Sequence, residues 1–266
     1  MLSGSEGLFR AVVCERRREG DAAHLILEPE AGFEPAPGQF VHVRPADTGG
    51  TDPLLRRPFS VSDWEPGANR MHLVVRPVGR MSSRLSQLGP GDVLDCMGPL
   101  GRGFPLPSGD GRCVLVAGGV GAAPLILLAR KLTEAGLTPE VFLGAQTGKN
   151  LIGTALFENA GALVSTATDD GSAGEKGLVT DVLARHLPRG EPIATVYSCG
   201  PRPMLAEVAQ MFPETDAFGS FEEHMACGVG ACRGCSIAVM DSDGQPRYAR
   251  VCKEGPVFAL KEVVFG

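Results

Sequence analysis

The chain has 266 residues, 43% of them hydrophobic, with 25 basic against 31 acidic side chains for a net charge of −6. That length holds two compact domains and a small appendage, and the acidic balance, with a pI near 5.4, argues against nucleic acid or an anionic membrane as partner. No apolar run approaches the roughly 18 residues of a membrane span, and the N-terminus lacks the apolar core of a signal peptide, so a cytoplasmic protein is expected.

Residues 8–104 read as short strands. Stretches 23–28, 39–44 and 70–76 are extended runs of strand length, separated by clusters such as Pro35-Ala36-Pro37-Gly38 and Gly89-Pro90-Gly91-Asp92. Closely spaced short strands with turn signals suggest a small antiparallel barrel. Within it, Arg57-Pro58-Phe59-Ser60 joins a cation, a fixed backbone and a hydroxyl. Such a group can hold a phosphate and a ring heteroatom, although a surface Arg on a strand reads the same way.

The pattern changes at Arg112. Residues 113–117 form a continuous apolar run, followed by Gly118-Gly119-Val120-Gly121 and a helical stretch over 124–135. Strand-like runs follow at 140–143, 162–166 and 194–198, the last leading into a helix over 203–211. Uninterrupted apolar strands alternating with helices indicate a doubly wound parallel sheet. The turn through Gly119, Gly121 and Pro124 opens a helix, where glycines admit a pyrophosphate to the backbone and the helix N-terminus favours negative charge. Proline suits the first helical turn. Cys199-Gly200-Pro201 is a second turn of this kind. Either alone is also a plain βα turn; two at the carboxyl edge of one sheet point to a dinucleotide.

From Ala217 the chain becomes a cysteine segment. Cys227, Cys232 and Cys235 are spaced C-x4-C-x2-C, and Cys252 follows after sixteen intervening residues. This is the plant-type spacing of a [2Fe–2S] cluster. Five of the seven other residues in 226–235 are Gly or Ala, which lets backbone N–H groups approach the sulfurs. Zinc prefers two C-x2–4-C pairs, and only one is present; disulfides are the other alternative. Cys14, Cys96, Cys113 and Cys199 sit singly, as reduced thiols do. The five histidines, at 24, 42, 72, 186 and 224, are scattered, and no catalytic acid–base constellation is evident.

The Arg-Pro-Phe-Ser, Gly-Gly-Val-Gly and Cys-Gly-Pro motifs together resemble the ferredoxin–NADP reductase superfamily. The stretches 168–181 and 223–232, and the run from Val251 through Pro256-Val257-Phe258, narrow the resemblance to electron-transfer subunits of type B dihydroorotate dehydrogenase. It covers the chain from about residue 8 onward and implies a six-stranded antiparallel FAD-binding barrel (1–106), a doubly wound NAD-binding sheet (107–217) and a small [2Fe–2S] domain (218–266). Carried over by position, Arg57, Pro58, Phe59, Ser60, Val74, Val75, Arg76, Met81 and Ser82 would meet FAD. Gly118, Gly119, Gly121, Pro124, Cys199, Gly200 and Pro201 would meet NAD, and the four cysteines the cluster. The family's second phosphate turn usually ends in Gly-Thr; here Ser82 keeps the hydroxyl while Met81 removes a glycine.

The resemblance also implies that NAD is favoured over NADP, that the partner is an FMN-containing dihydroorotate-oxidising subunit in a heterotetramer of two copies of each, and that the pathway is de novo pyrimidine (UMP) synthesis. Electrons would run from that FMN through cluster and FAD to NAD+. Subunits of cytoplasmic hydrogenases, sulfide-reducing enzymes or ferredoxin:NADPH oxidoreductases are the alternatives within electron transfer. A zinc-stabilised binding module without redox activity is the alternative outside it.

Overall fold

The computed structural model describes residues 7–30, 32–46, 54–107, 111–187 and 192–265. The first part comprises β1 (Gly7–Glu19), β2 (Ala22–Pro29), β3 (Phe40–Pro45), β4 (Arg57–Glu65), β5 (Arg70–Val75), the short helix α1 (Arg80–Leu85) and β6 (Val93–Leu100). The six strands close in the order β1-β2-β5-β4-β3-β6, every pairing antiparallel. This is the expected barrel. Leu25, Leu27, Met71, Leu73 and Leu94 fill it and are fully buried, each contributing about 1.5–3 kcal/mol of transfer free energy.

The second part runs β7 (Arg112–Gly118), α2 (Ala123–Glu134), β8 (Glu140–Ala145), α3 (Thr154–Asn159), β9 (Leu163–Thr168), β10 (Glu175–Lys176), α4 (Val179–His186), β11 (Ile193–Cys199), α5 (Arg202–Met211) and β12 (Asp216–Ser220). After it come the hairpin strands β13 (Ser236–Met240) and β14 (Pro246–Arg250), then β15 (Val257–Ala259). The main sheet has the order β10-β9-β8-β7-β11-β12-β15. It is parallel through β12, with β15 antiparallel at the edge. The chain winds one way from β7 to β8 and β9 and the other way to β11 and β12. The crevice between β7 and β11 is therefore the switch point at which open α/β sheets bind ligands.

Strand β12 crosses the expected line between residues 217 and 218, and β15 returns the end of the cysteine segment to the sheet. One continuous core joins Val114, Val116 and Val196 of the sheet to Cys235, Ile237, Val251 and Cys252 of the cysteine segment, with Phe40 and Leu100 of the barrel at its margin. The barrel is tied to the sheet by an ion pair from Arg130 of α2 to Asp63. A small apolar cluster of Ala22, Val74, Ala123 and Ile152 adds to the joint. Among the described residues no helix is long and apolar enough to cross a membrane.

Candidate functional site

A cavity of about 650 Å³ opens where the three parts meet. Strand β4 supplies Arg57, Pro58, Phe59 and Ser60, β5 and the chain after it supply Val74 and Arg76, and α1 supplies Arg80, Met81 and Ser82. The far wall is Val120 and Ala123 from the first glycine turn, and the rim is the segment from Ser220 to Met225. The volume, the apolar walls and the three arginines fit a flavin ring with a pyrophosphate.

The neighbouring arginines of the Arg-Arg-Pro-Phe-Ser run have separate duties. Arg56 binds both Asp95 carboxylate oxygens at 2.7 and 2.8 Å, and Arg44 binds the same carboxylate at 2.8 Å. Burial opposes ionisation of Asp95, but the two guanidiniums win and hold it below the usual carboxylate range. Arg57 donates only to the Leu55 and Arg56 carbonyls among the described contacts and faces the cavity. Arg76 is aimed by Asp21, whose Oδ2 accepts its Nε–H at 2.9 Å and the Asn150 amide at 2.9 Å. A residue of the sheet's loops thereby helps to orient a cation at the cavity.

Two residues expected at the flavin behave in ways set by strand and helix geometry. Side chains alternate along β5, so Val74 reaches the cavity while Val75 points into the barrel core. Met81 lies inside α1 with its side chain buried at 5% exposure, and its φ is not positive; the turn needs no glycine there. The Ser82 hydroxyl turns back on its own helix start, accepting the Val78 and Gly79 N–H groups at 2.9 and 3.0 Å. It acts as a cap rather than as a free donor.

The two glycine turns lie back to back, because β7 and β11 pair with Ala117 opposite Cys199. A Cβ on Gly121 would stand 2.4 Å from the Cys199 carbonyl oxygen, and one on Gly200 would stand 3.1 Å from the Gly118 backbone. Gly118, Gly121 and Gly200 are thus required by the packing of turn on turn. Gly119 differs: it takes φ +56°, a conformation glycine adopts readily, and faces open space, which leaves its backbone open to close approach. Pro124 sits in the first turn of α2, and Pro201 immediately precedes α5. The Cys199 side chain is 1% exposed; burial, then the nearby Glu222 charge, pushes its thiol well above the ordinary value. It packs in the sheet core.

None of the eight cysteines is in a disulfide. Cys235 and Cys252 are buried at 2% exposure, Cys227 is half-buried and Cys232 exposed. The sulfurs attract N–H groups: Cys232 N–H lies 3.4 Å from the Cys227 sulfur, Gly234 N–H 3.5 Å from that of Cys232, and Cys252 N–H 3.5 Å from that of Cys235. Burial alone would push the Cys227 thiol up, yet the N–H groups of Cys232 and Val229 bring it down to about 6. Gly228 and Gly230 take φ of +71° and +82°, wrapping the loop, and Arg250 pins it through the Gly230 carbonyl at 2.8 Å. Four thiols ringed by backbone donors fit an iron–sulfur cluster.

Residues 222–264 match the family model of the iron–sulfur cluster binding domain of dihydroorotate dehydrogenase B. Residues 115–210 match the oxidoreductase NAD-binding domain, and residues 22–104 the oxidoreductase FAD-binding domain. The dihydroorotate dehydrogenase B (NAD(+)) electron transfer subunit of Desulforamulus reducens is 42% identical over 239 residues, covering 89% of this chain and 90% of that one. The chain belongs to the family of dihydroorotate dehydrogenase B electron transfer subunits. Another member, from Bacillus caldolyticus, is 44% identical over 86% of each chain.

Among solved structures, the NADH-dependent reduced ferredoxin-NADP oxidoreductase has a TM-score of 0.82 at 30% identity, covering 96% of this chain and 90% of that one. The ferredoxin reductase of carbazole 1,9a-dioxygenase shares the fold at 21% identity, with a TM-score of 0.69 over 82% of this chain and 68% of that one. As its three domain matches show, this member of the family is an oxidoreductase that uses FAD, NAD and an iron–sulfur cluster. The rim residues Ser220 to Met225 escaped the site expected from sequence. Glu223, His224 and Met225 carried a signal as part of the stretch that bears the family resemblance, whereas Ser220, Phe221 and Glu222 had only their position shortly before the first cysteine.

Proposed function

We propose that this chain takes electrons from the FMN of a dihydroorotate-oxidising catalytic subunit and delivers them to NAD+ for de novo pyrimidine synthesis. The observation that carries this reading is the convergence at one cavity of the β4 strand, the first glycine turn and the segment that runs from Ser220 to Met225 and on to Cys227. When bound, the cluster supplies one-electron passage, FAD exchanges single electrons for pairs, and NAD accepts hydride. In this reading Arg57, Arg76 and Arg80 hold the flavin's phosphates, while Pro58, Phe59, Ser60, Val74 and Met81 enclose its ring. Ser82 and the Val75 backbone shape that wall, Gly119 admits the nicotinamide nucleotide, and Gly118, Gly121, Pro124, Cys199, Gly200 and Pro201 build the turns that present it.

Cys227, Cys232, Cys235 and Cys252 hold the cluster near the surface, where the exposed Cys232 face meets the partner. The working assembly is a cytoplasmic heterotetramer of two copies of each subunit. Functional edges fall near residues 106 and 217, with β12 and β15 as the seam between nucleotide and cluster units.

Cys232→Ser tests the reading in the reconstituted complex. Dihydroorotate-dependent NAD+ reduction is expected to fall at least a hundredfold, while NADH oxidation by artificial flavin acceptors stays within about twofold, because loss of one member of a coupled chain blocks only the steps beyond it. Survival of both activities at wild-type rates would remove the cysteines from the path.

A further inference from the structure

His42 lies on β3 with 1% exposure, and its Nε2 is buried without a hydrogen-bond partner. Leaving a buried polar atom unpaired costs about 1–3 kcal/mol, so such an atom in a native fold calls for a use. The ring lies flat against the cysteine loop: a Cβ built on Gly228 would stand 2.9 Å from Cε1 and 3.0 Å from both Nδ1 and Nε2, over the ring face. Gly228 directly follows Cys227 and holds φ +71°. No side chain fits between ring and loop. On its other side the ring meets Phe40, centroids 5.7 Å apart, and Phe40 lines the cavity. The residue opposite His42 on the neighbouring strand is Pro58 of the Arg-Pro-Phe-Ser run. His42 therefore stands in the wall between the cysteine loop and the cavity.

We propose that His42 donates its Nε2–H to a sulfur of the cluster held by the Cys227 loop and thereby raises the cluster's reduction potential. The proposal rests on the assignment of an iron–sulfur cluster to the four cysteines. Thiolate and sulfide sulfurs are anionic acceptors, and their charge would draw the single proton of a neutral imidazole to Nε2, the nitrogen that the fold leaves buried and unpartnered. A hydrogen bond onto sulfur stabilises the more negative, reduced cluster, which is how donors around such clusters set potential. In this account His42 transfers no proton or electron; it sets the potential of the cluster it touches.

The test is a redox titration of the holo complex, following the paramagnetic signal of the reduced cluster in wild type, His42→Gln and His42→Leu. The expected result is a lower cluster potential in His42→Leu, partial recovery in His42→Gln and an unmoved flavin potential. Independently, wild type carrying isotopically labelled histidine should show a nitrogen coupling to the reduced cluster that persists in His224→Gln and vanishes in His42→Gln. A fully loaded His42→Leu cluster with the wild-type potential would overturn the proposal. If His42→Leu fails to load, the labelled wild type decides: a coupling that persists in His224→Gln supports the proposal, and its absence overturns it. Absence of any iron–sulfur signal in wild type would instead sink the four-cysteine assignment.

Discussion

Arg56 and Arg57 are adjacent in sequence and opposite in duty, which makes them a sharp comparison. Arg57→Ala removes a cavity cation with no carboxylate partner among the described residues, so FAD affinity is expected to fall tenfold or more, roughly 1.5–3 kcal/mol for a charge-assisted contact. The melting temperature of the FAD-free protein should stay put. Arg56→Ala leaves Asp95, whose side chain is 22% exposed, with Arg44 alone. It should destabilise the fold by about 1–3 kcal/mol with a smaller effect on flavin affinity. Calorimetric FAD titration and thermal melts of both variants separate the two effects, and identical behaviour would contradict the division. At this scale the sequence identified the Arg-Pro-Phe-Ser run but not which arginine is tied to Asp95, because Asp95 lies far along the chain on β6 and nothing local announces the pairing.

Among the elements, the back-to-back glycine turns make a second contrast. Gly121→Ala drives a methyl into the Cys199 carbonyl, which is backbone and cannot swing aside; about 3 kcal/mol or more of stability should be lost. Gly119→Ala meets open space but forces a left-handed conformation, costing only about 1–2 kcal/mol while weakening NADH binding. Denaturant melts and NADH titrations of the two variants test this, and equal stability losses would contradict it. The central parallel strands were legible because they are buried on both faces and read as unbroken apolar runs. Strands β1 and β6 were not singled out; the far end of β1 is the run Arg16-Arg17-Arg18-Glu19, in which exposure hides the strand pattern. Strand β15 was hidden because three residues carry no period, and its place is set by pairing with β12. The proposed cluster ligands were the most legible part of the candidate site, since their spacing is local. The cavity rim was the least, since only the fold brings Ser220 to Met225 opposite Arg57.

For the molecule as a whole, pH adds a test of how the barrel is built. His24 and His72 share a buried hydrogen bond of 3.0 Å between ring nitrogens. Burial, then the mutual charge, brings His24 down to about 4; burial, then Arg130, does the same for His72. Both are neutral in the fold, whereas the unfolded chain takes up protons near the ordinary value of 6.5. Stability that is full above pH 6.5 is therefore lost as pH falls from 6.5 toward 4. His24→Gln should flatten the melting-temperature curve over that window, and parallel curves for variant and wild type would refute the link. The central claim concerns the joining of three sites in one chain, and its most direct test is the visible spectrum of the anaerobic protein before and after stoichiometric NADH. Bleaching of both the flavin and the iron–sulfur bands is the predicted result, because the first glycine turn, the cavity and the segment leading into the cysteine loop adjoin one another. A flavin that bleaches while the iron–sulfur bands persist would contradict it, leaving a nicotinamide–flavin reductase with the cluster off the path.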